Sequence, residues 1–262
     1  MNPLVFVSIP FNLLKEKYLP LVLAHRINVE VSLNAFSLDN YPYSTFKEIA
    51  VQLKNQGLLT TVHLPFIDLS IGSVDLWIRE VSFKRIFLAV ERASLFQPLN
   101  LVLHSGYSYN YHEIKEEWRE QFIENLNKLL DFIREENLFL SLENVYEPTP
   151  EFMLPIFEAF YGKIGWCFDP AHGRVFSKKD ELQWLQTLYP YLKEIHCHDN
   201  LGEEDDHLAV GKGVLKFEAV FHFLKEKKIV PILTSEAHNE EDTYVNLEVL
   251  TKTWKKLREV TA

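Results

Sequence analysis

Eight short runs of apolar and β-branched residues alternate with eight longer amphipathic stretches along the whole chain, and few architectures accept that rhythm. The short runs are Leu4–Ile9, Ile27–Leu33, Leu59–His63, Leu99–His104, Leu138–Glu143, Ile164–Asp169, Leu192–His198 and Val230–Glu236. Helical periodicity fills the intervals at Phe11–Ala24, Ser44–Gln56, Leu76–Phe96, Glu113–Glu135, Pro150–Phe160, Asp180–Tyr189, Lys216–Lys227 and Tyr244–Val260. The strand runs are apolar almost without interruption (LVFVSI, LNLVLH, IGWCFD), as in a parallel sheet covered on both faces. Eight βα units in 262 residues predict an α/β chain closed as a single (β/α)8 barrel, one domain over residues 1–262. A doubly wound open sheet would carry a glycine-rich first turn, and Ile9-Pro10-Phe11-Asn12 is not one. The surest helix holds Trp118, Phe122, Ile123, Leu126, Leu129, Leu130 and Ile133 on one stripe. Gly57 falls at a helix C-terminal cap, and Pro20 and Pro155 are expected to bend or divide the first and fifth helices.

Composition narrows the function classes. Hydrophobic residues at 47% with charged residues at 24% exclude a disordered or collagen-like chain. No run of about 18 apolar residues offers a membrane span. Met1 to Lys17 lacks the basic start, apolar centre and small-residue cleavage site of a secretory leader, so the expected compartment is the cytoplasm. Two cysteines make no disulfide framework. Alternation places Cys167 on the inward side with Asp169 and Cys197 toward the helices, so a bond between them is not expected, nor is either a nucleophile. A net charge of −10 argues against a polyanionic partner, since lysine and arginine supply most nucleic-acid affinity.

The chemistry gathers at strand ends. Strand three ends at His63, four at His104, five at Glu143, six at Asp169, seven at His196 or His198, and eight at Glu236. In a barrel these ends share one rim, the face where active sites are built. One strand-end histidine is most often a hydrogen-bonded structural residue, and one carboxylate a helix cap. Six together would repel and desolvate one another without cations. Beyond strand six the run Asp169-Pro-Ala-His172-Gly adds an imidazole. Beyond strand seven HCHDNLGEEDDHLAVGKG adds Asp205 and His207.

These segments resemble the xylose-isomerase-like TIM barrel superfamily, which includes endonuclease IV and many sugar-phosphate isomerases and epimerases. The likeness lies in VHLPFIDLSIGS (62–73), LVLHSG (101–106), LSLEN (140–144), CFDPAHG (167–173), IHCHDN with DDHLAVGKG (195–200, 205–213) and LTSEAH (233–238). It implies a divalent metal centre. On the endonuclease IV pattern, up to three Zn2+ ions are held by His63, His104 and Glu143; by Glu143, Asp169, His196 and Glu236; and by His172, Asp205 and His207. His196 takes precedence over His198 because the ligand stands three residues before the Asp, here Asp199. On the isomerase pattern one Mn2+, Co2+ or Mg2+ ion needs only Glu143, Asp169, His196 and Glu236. The two glutamates then lie near the proton-transfer positions and His172 contacts substrate. The excess of His63, His104, Asp205 and His207 favours the first pattern.

The resulting expectation is a metal-dependent hydrolase of a phosphoester, with Glu143, Glu236 and His172 catalytic; the alternative is a one-metal sugar or sugar-phosphate isomerase or epimerase. Several ions close together generate hydroxide near neutral pH and stabilise attacking and leaving oxygens. The expected partner is a small phosphoester or sugar phosphate, with no membrane. DNA is disfavoured: NAFSLDNYPY (34–43) holds no Lys or Arg, GYSYNYH (106–112) is tyrosine-rich and GEEDD (202–206) is acidic. Basic residues collect instead at Arg174, Lys178 and Lys179 and along the last helix. Phe66, Tyr107, His198 and Lys212 are the candidate substrate contacts. Glu30, on strand two, resembles an acidic position of the isomerase branch and stands outside the ligand set.

Overall fold

A computed structural model describes residues 3–177 and 179–261; the expected basic residue Lys178 lies outside them. Eight parallel strands close a barrel in chain order: β1 Val5–Pro10, β2 Asn28–Ser32, β3 Thr60–His63, β4 Leu101–His104, β5 Leu140–Glu143, β6 Ile164–Phe168, β7 Leu192–Cys197 and β8 Ile232–Ser235. Each falls within two residues of its expected run, because period-two burial against helices leaves little freedom of register. Among the described residues no helix is long and apolar enough to cross a membrane.

The chain divides into two compact units, one of Ser8–Glu143 with Ala159–Ile164, the other of Met1–Val7, Asn144–Glu158 and Gly165–Ala262. In the first, β2 pairs β3 from Val29↔Thr60 to Ser32↔His63, and β4 pairs β5 with His104 opposite Glu143. Its core holds Phe11 stacked on Phe46 at 4.1 Å and Trp118 stacked on Phe122 at 5.2 Å. Trp118, Phe122, Leu126, Leu129 and Ile133 are buried along helix Lys115–Glu135, the stripe the periodicity predicts. Gly57 takes φ +65° after its helix, and its N–H donates to the Lys54 carbonyl. The stretch NAFSLDNYPY after β2, outside the eight periodic stretches of the sequence, holds a short helix: Asn34 caps Ala35–Asn40, its Oδ1 accepting from the Ser37 N–H at 2.8 Å. The first helix is divided near Pro20 as expected: a π turn at Leu14–Tyr18 precedes a new α segment, Leu19–His25, where Pro20 sits in the first turn and needs no amide donor.

In the second unit β7 pairs β8 with His196 opposite Thr234, and β8 pairs β1 with Leu233 opposite Val5. Helix Pro150–Ala159 runs unbroken across Pro155 because Phe152, Met153, Ile156 and Phe157 bury one face. That apolar anchoring offsets the hydrogen bond the proline removes.

The long connection after β7 is tied down by Asp199. Its backbone exchanges two hydrogen bonds of 2.8 Å with Leu208. Its Oδ1 accepts from Leu215 N–H and its Oδ2 from Gly211 N–H. Asn246 accepts the Val210 N–H and donates to the Cys197 carbonyl, pinning the same loop to helix Glu240–Thr261. Gly213 fits only because it lacks a side chain: a Cβ there would stand 2.2 Å from the Asn200 carbonyl and 2.3 Å from Asp199 Oδ1. Gly213→Ala should therefore destabilise the protein by about 1–3 kcal/mol, read as a lower urea midpoint at unchanged slope.

Candidate metal centre

In the first unit the ends of β3, β4 and β5 bring two imidazoles to one carboxylate. His63 Nε2 lies 3.0 Å and His104 Nε2 lies 3.2 Å from the same atom, Glu143 Oε2. All three side chains are largely buried, Glu143 almost completely. The other ring nitrogen of His63, Nδ1, donates to the Leu64 carbonyl at 2.8 Å. That proton is committed, so Nε2 faces the carboxylate either with a second proton or with its lone pair. Two acceptors at 3.0 Å repel unless positive charge lies at their meeting point. Phe66 covers this group, stacked on His104 at 4.2 Å and edge-on to His63 at 5.2 Å.

The second unit repeats the arrangement around Asp205. His172 Nδ1 meets the Asn144 carbonyl at 3.2 Å, and its Nε2 stands 3.3 Å from Asp205 Oδ2. His207 Nδ1 donates to the Glu236 carbonyl at 2.8 Å, and its Nε2 stands 3.0 Å from the same Asp205 oxygen. A backbone carbonyl that fixes the tautomer while the far nitrogen faces a carboxylate is the arrangement of metal-ligating histidines. Asp205 therefore has two imidazoles on one oxygen, as Glu143 does.

Within the second unit a network of largely buried histidines and carboxylates surrounds Asp205. Asp169 caps the turn Pro170–His172, its Oδ1 accepting the His172 N–H at 2.7 Å. Its Oδ2 accepts from His198 Nε2 at 2.8 Å. His196, fully buried on β7, has Nδ1 3.3 Å from Glu236 Oε2. His198 lies between two acids, and its Nδ1 is 3.7 Å from Asp205 Oδ1. Both of those atoms are buried with no hydrogen-bond partner among the described residues. Such atoms are costly unless a cation or water engages them. Asp169, His172 and His198, and likewise His198, Asp205 and His207, each present ligand atoms within 4.8 Å of one another. The residues present thus fit divalent cations.

Of the expected substrate contacts, His198 is buried within this network, and Phe66 roofs the Glu143 group. Tyr107 is buried with its ring edge-on to Trp118 at 5.0 Å, so it packs the core rather than facing solvent. Lys212 bends away to pair with Asp242. Arg174 is bound by Glu181 at 2.7 Å, which leaves less free positive charge than the sequence suggests. Neither Cys167 nor Cys197 is in a disulfide, both are buried, and burial pushes the Cys197 thiol up. Glu30 is fully buried and accepts from Thr61 Oγ1 at 3.3 Å.

Sequence reasoning missed Asn144. Its Oδ1 accepts from Trp166 Nε1 and the Asp169 N–H, its Nδ2 donates to the Asp169 carbonyl at 2.7 Å, and its own carbonyl orients His172. An asparagine directly after a candidate ligand was the available signal. Buried Glu194, which accepts from Thr234 Oγ1, was missed as well.

Burial alone would raise the Asp205 pKa, but the hydrogen bonds from His172 and His207 hold it well below the usual carboxylate range. Burial pulls the His207 imidazolium down, while its hydrogen bond to Asp205 and the charge of Glu236 more than offset that and hold its pKa up at about 9. In chelator-treated protein this raised value stabilises the fold fully below pH 6.5 and is lost as pH rises through about 9. The urea midpoint should fall across that window, and His207→Gln should flatten the fall.

A sequence model of xylose isomerase-like TIM barrels matches residues 28–256. The solved structure of TTHB071 protein from Thermus thermophilus, soaked with ZnCl2, is similar at TM-score 0.82 and 29% identity, covering 96% of this chain and 98% of that one. A D-tagatose 3-epimerase-like protein superposes at TM-score 0.81 with 22% identity, covering 98% and 99% of the two chains. The uncharacterized protein MJ1614 of Methanocaldococcus jannaschii is 30% identical over 197 residues, 71% of this chain and 73% of that one.

Proposed function

The chain belongs to the xylose isomerase-like TIM barrel family, and on that premise we propose that it is a divalent-metal-dependent isomerase or epimerase of a small sugar or sugar phosphate. The observation that carries this reading is the delivery of Asp169, His196 and Glu236 by three consecutive strands, with His196 Nδ1 3.3 Å from Glu236 Oε2. The likeness to a D-tagatose 3-epimerase-like protein supports the same chemistry.

Isomerisation and epimerisation move a proton at a carbon beside a carbonyl. A bound divalent ion supplies polarisation of the substrate oxygens. Glu236 takes the proton from carbon and returns it, the role of a carboxylate held beside a reacting centre. His172, oriented by the Asn144 carbonyl, meets a substrate hydroxyl. Asp169, its backbone held by Asn144 and its carboxylate by His198, would be one of the residues holding the cation.

A second reading, hydrolysis of a small phosphoester by up to three zinc ions, is favoured by a different observation. Glu143 Oε2 and Asp205 Oδ2 each face two imidazole nitrogens, and of these residues His63, His104, Asp205 and His207 have no part in the one-metal set.

Deuterium uptake separates the two activities. In heavy water with Mn2+ or Co2+, a panel of ketoses and ketose phosphates should exchange the hydrogen beside the carbonyl, read by NMR. Glu236→Gln should slow that exchange about 10²- to 10⁴-fold. Protein purified without chelator that holds three zinc ions, cleaves small phosphodiesters and exchanges no ketose would replace the isomerase with the hydrolase.

A further inference from the structure

His238 stands two residues past Glu236 and contributes to none of the ligand groups above. Its imidazole lies face to face on that of His207, with centroids 3.8 Å apart and planes within 11°. On the opposite face of His207 lies His198, at 3.9 Å and 5°. His207 is thus held between two parallel rings, and the His238 N–H also donates to the His207 carbonyl at 3.3 Å.

Such support answers a local problem. His207 has φ +52°, in the left-handed region that residues with a side chain rarely adopt, and it ends the acidic run Glu203–Asp206. Its in-plane hydrogen bonds, from Nδ1 to the Glu236 carbonyl and from Nε2 to Asp205, fix the direction of the line between the two nitrogens. The tether through Cβ and these in-plane bonds resist tilting of the ring only softly. Packing against its two faces narrows the tilt further, and the rings on those faces are His198 and His238.

We infer that His238 is a positioning residue whose stacked ring sets the tilt of His207, so that Nε2 aims at a cation held with Asp205. This rests on the cation-binding reading of Asp205 and His207, which either proposed activity accommodates. His198 is fully buried and shared with Asp169, so its removal would disturb more than the stack. His238 is exposed and can be replaced without opening the core.

The test is a zinc titration of the chelator-stripped full chain against a competing fluorescent chelator. The relevant ion is the one whose binding disappears in His207→Ala. His238→Ala should weaken that ion about tenfold, the lower end for partners that orient ligands, while other ions keep their affinity. His238→Phe keeps a flat ring and loses both nitrogens, so it should bind within about twofold of the parent protein if stacking is what matters. Unchanged affinity in His238→Ala overturns the inference alone. So does His238→Phe binding as weakly as His238→Ala, because the nitrogen rather than the face would then be responsible. A parent protein with no zinc sensitive to His207→Ala overturns the cation reading together with the inference.

Discussion

A carboxylate withdrawn from water must meet positive charge, and at buried Glu143 and half-buried Asp205 that requirement organises the histidines around it. Each presents one oxygen to two imidazole nitrogens at 3.0–3.3 Å, and His63, His172 and His207 each turn the other ring nitrogen toward a backbone carbonyl. Because a carbonyl only accepts, the proton of the neutral ring is drawn to that side. What faces the acid is then a lone pair, and two lone pairs in contact are stable only around a proton or a cation. The backbone carbonyls of Leu64, Asn144 and Glu236 are therefore as much a part of the chemistry as the side chains.

The scaffold that holds these carbonyls is itself polar and closely fitted. Asn144 uses both ends of its amide to fix the Asp169 backbone, then lends its carbonyl to His172. Asp199 uses both carboxylate oxygens on loop amides, and Gly213 leaves room for it. Lys212 neutralises Asp242, which in turn accepts the Ala209 N–H. None of these groups need touch a substrate. They hold a loop with acidic residues and a left-handed histidine in one conformation, which a cation site requires.

Much of the barrel was legible in the sequence because a strand covered on both faces reads as an unbroken apolar run and a covering helix reads as a stripe. Trp118, Phe122, Leu126, Leu129 and Ile133 are buried as that stripe implies. The helix at Ala35–Asn40 was not legible, since it is too short for periodicity to show and depends on one cap from Asn34. Among the candidate site residues, strand ends announced His63, His104, Glu143, Asp169, His196 and Glu236, whereas Tyr107 and Lys212 could be judged only by where they turn. Tyr107 packs on Trp118, and Lys212 finds Asp242 thirty residues on.

The order of the eight strands and the residue types at their ends follow from the sequence alone, because local burial patterns and chain order need no knowledge of distant neighbours. Only the tertiary structure decided which ring nitrogen faces which oxygen, that His198 lies between Asp169 and Asp205, and that His238 closes the stack on His207. Those outcomes depend on side-chain rotation and on contacts between residues tens of positions apart. Such contacts are set by closure of the fold and leave no periodic trace in the chain.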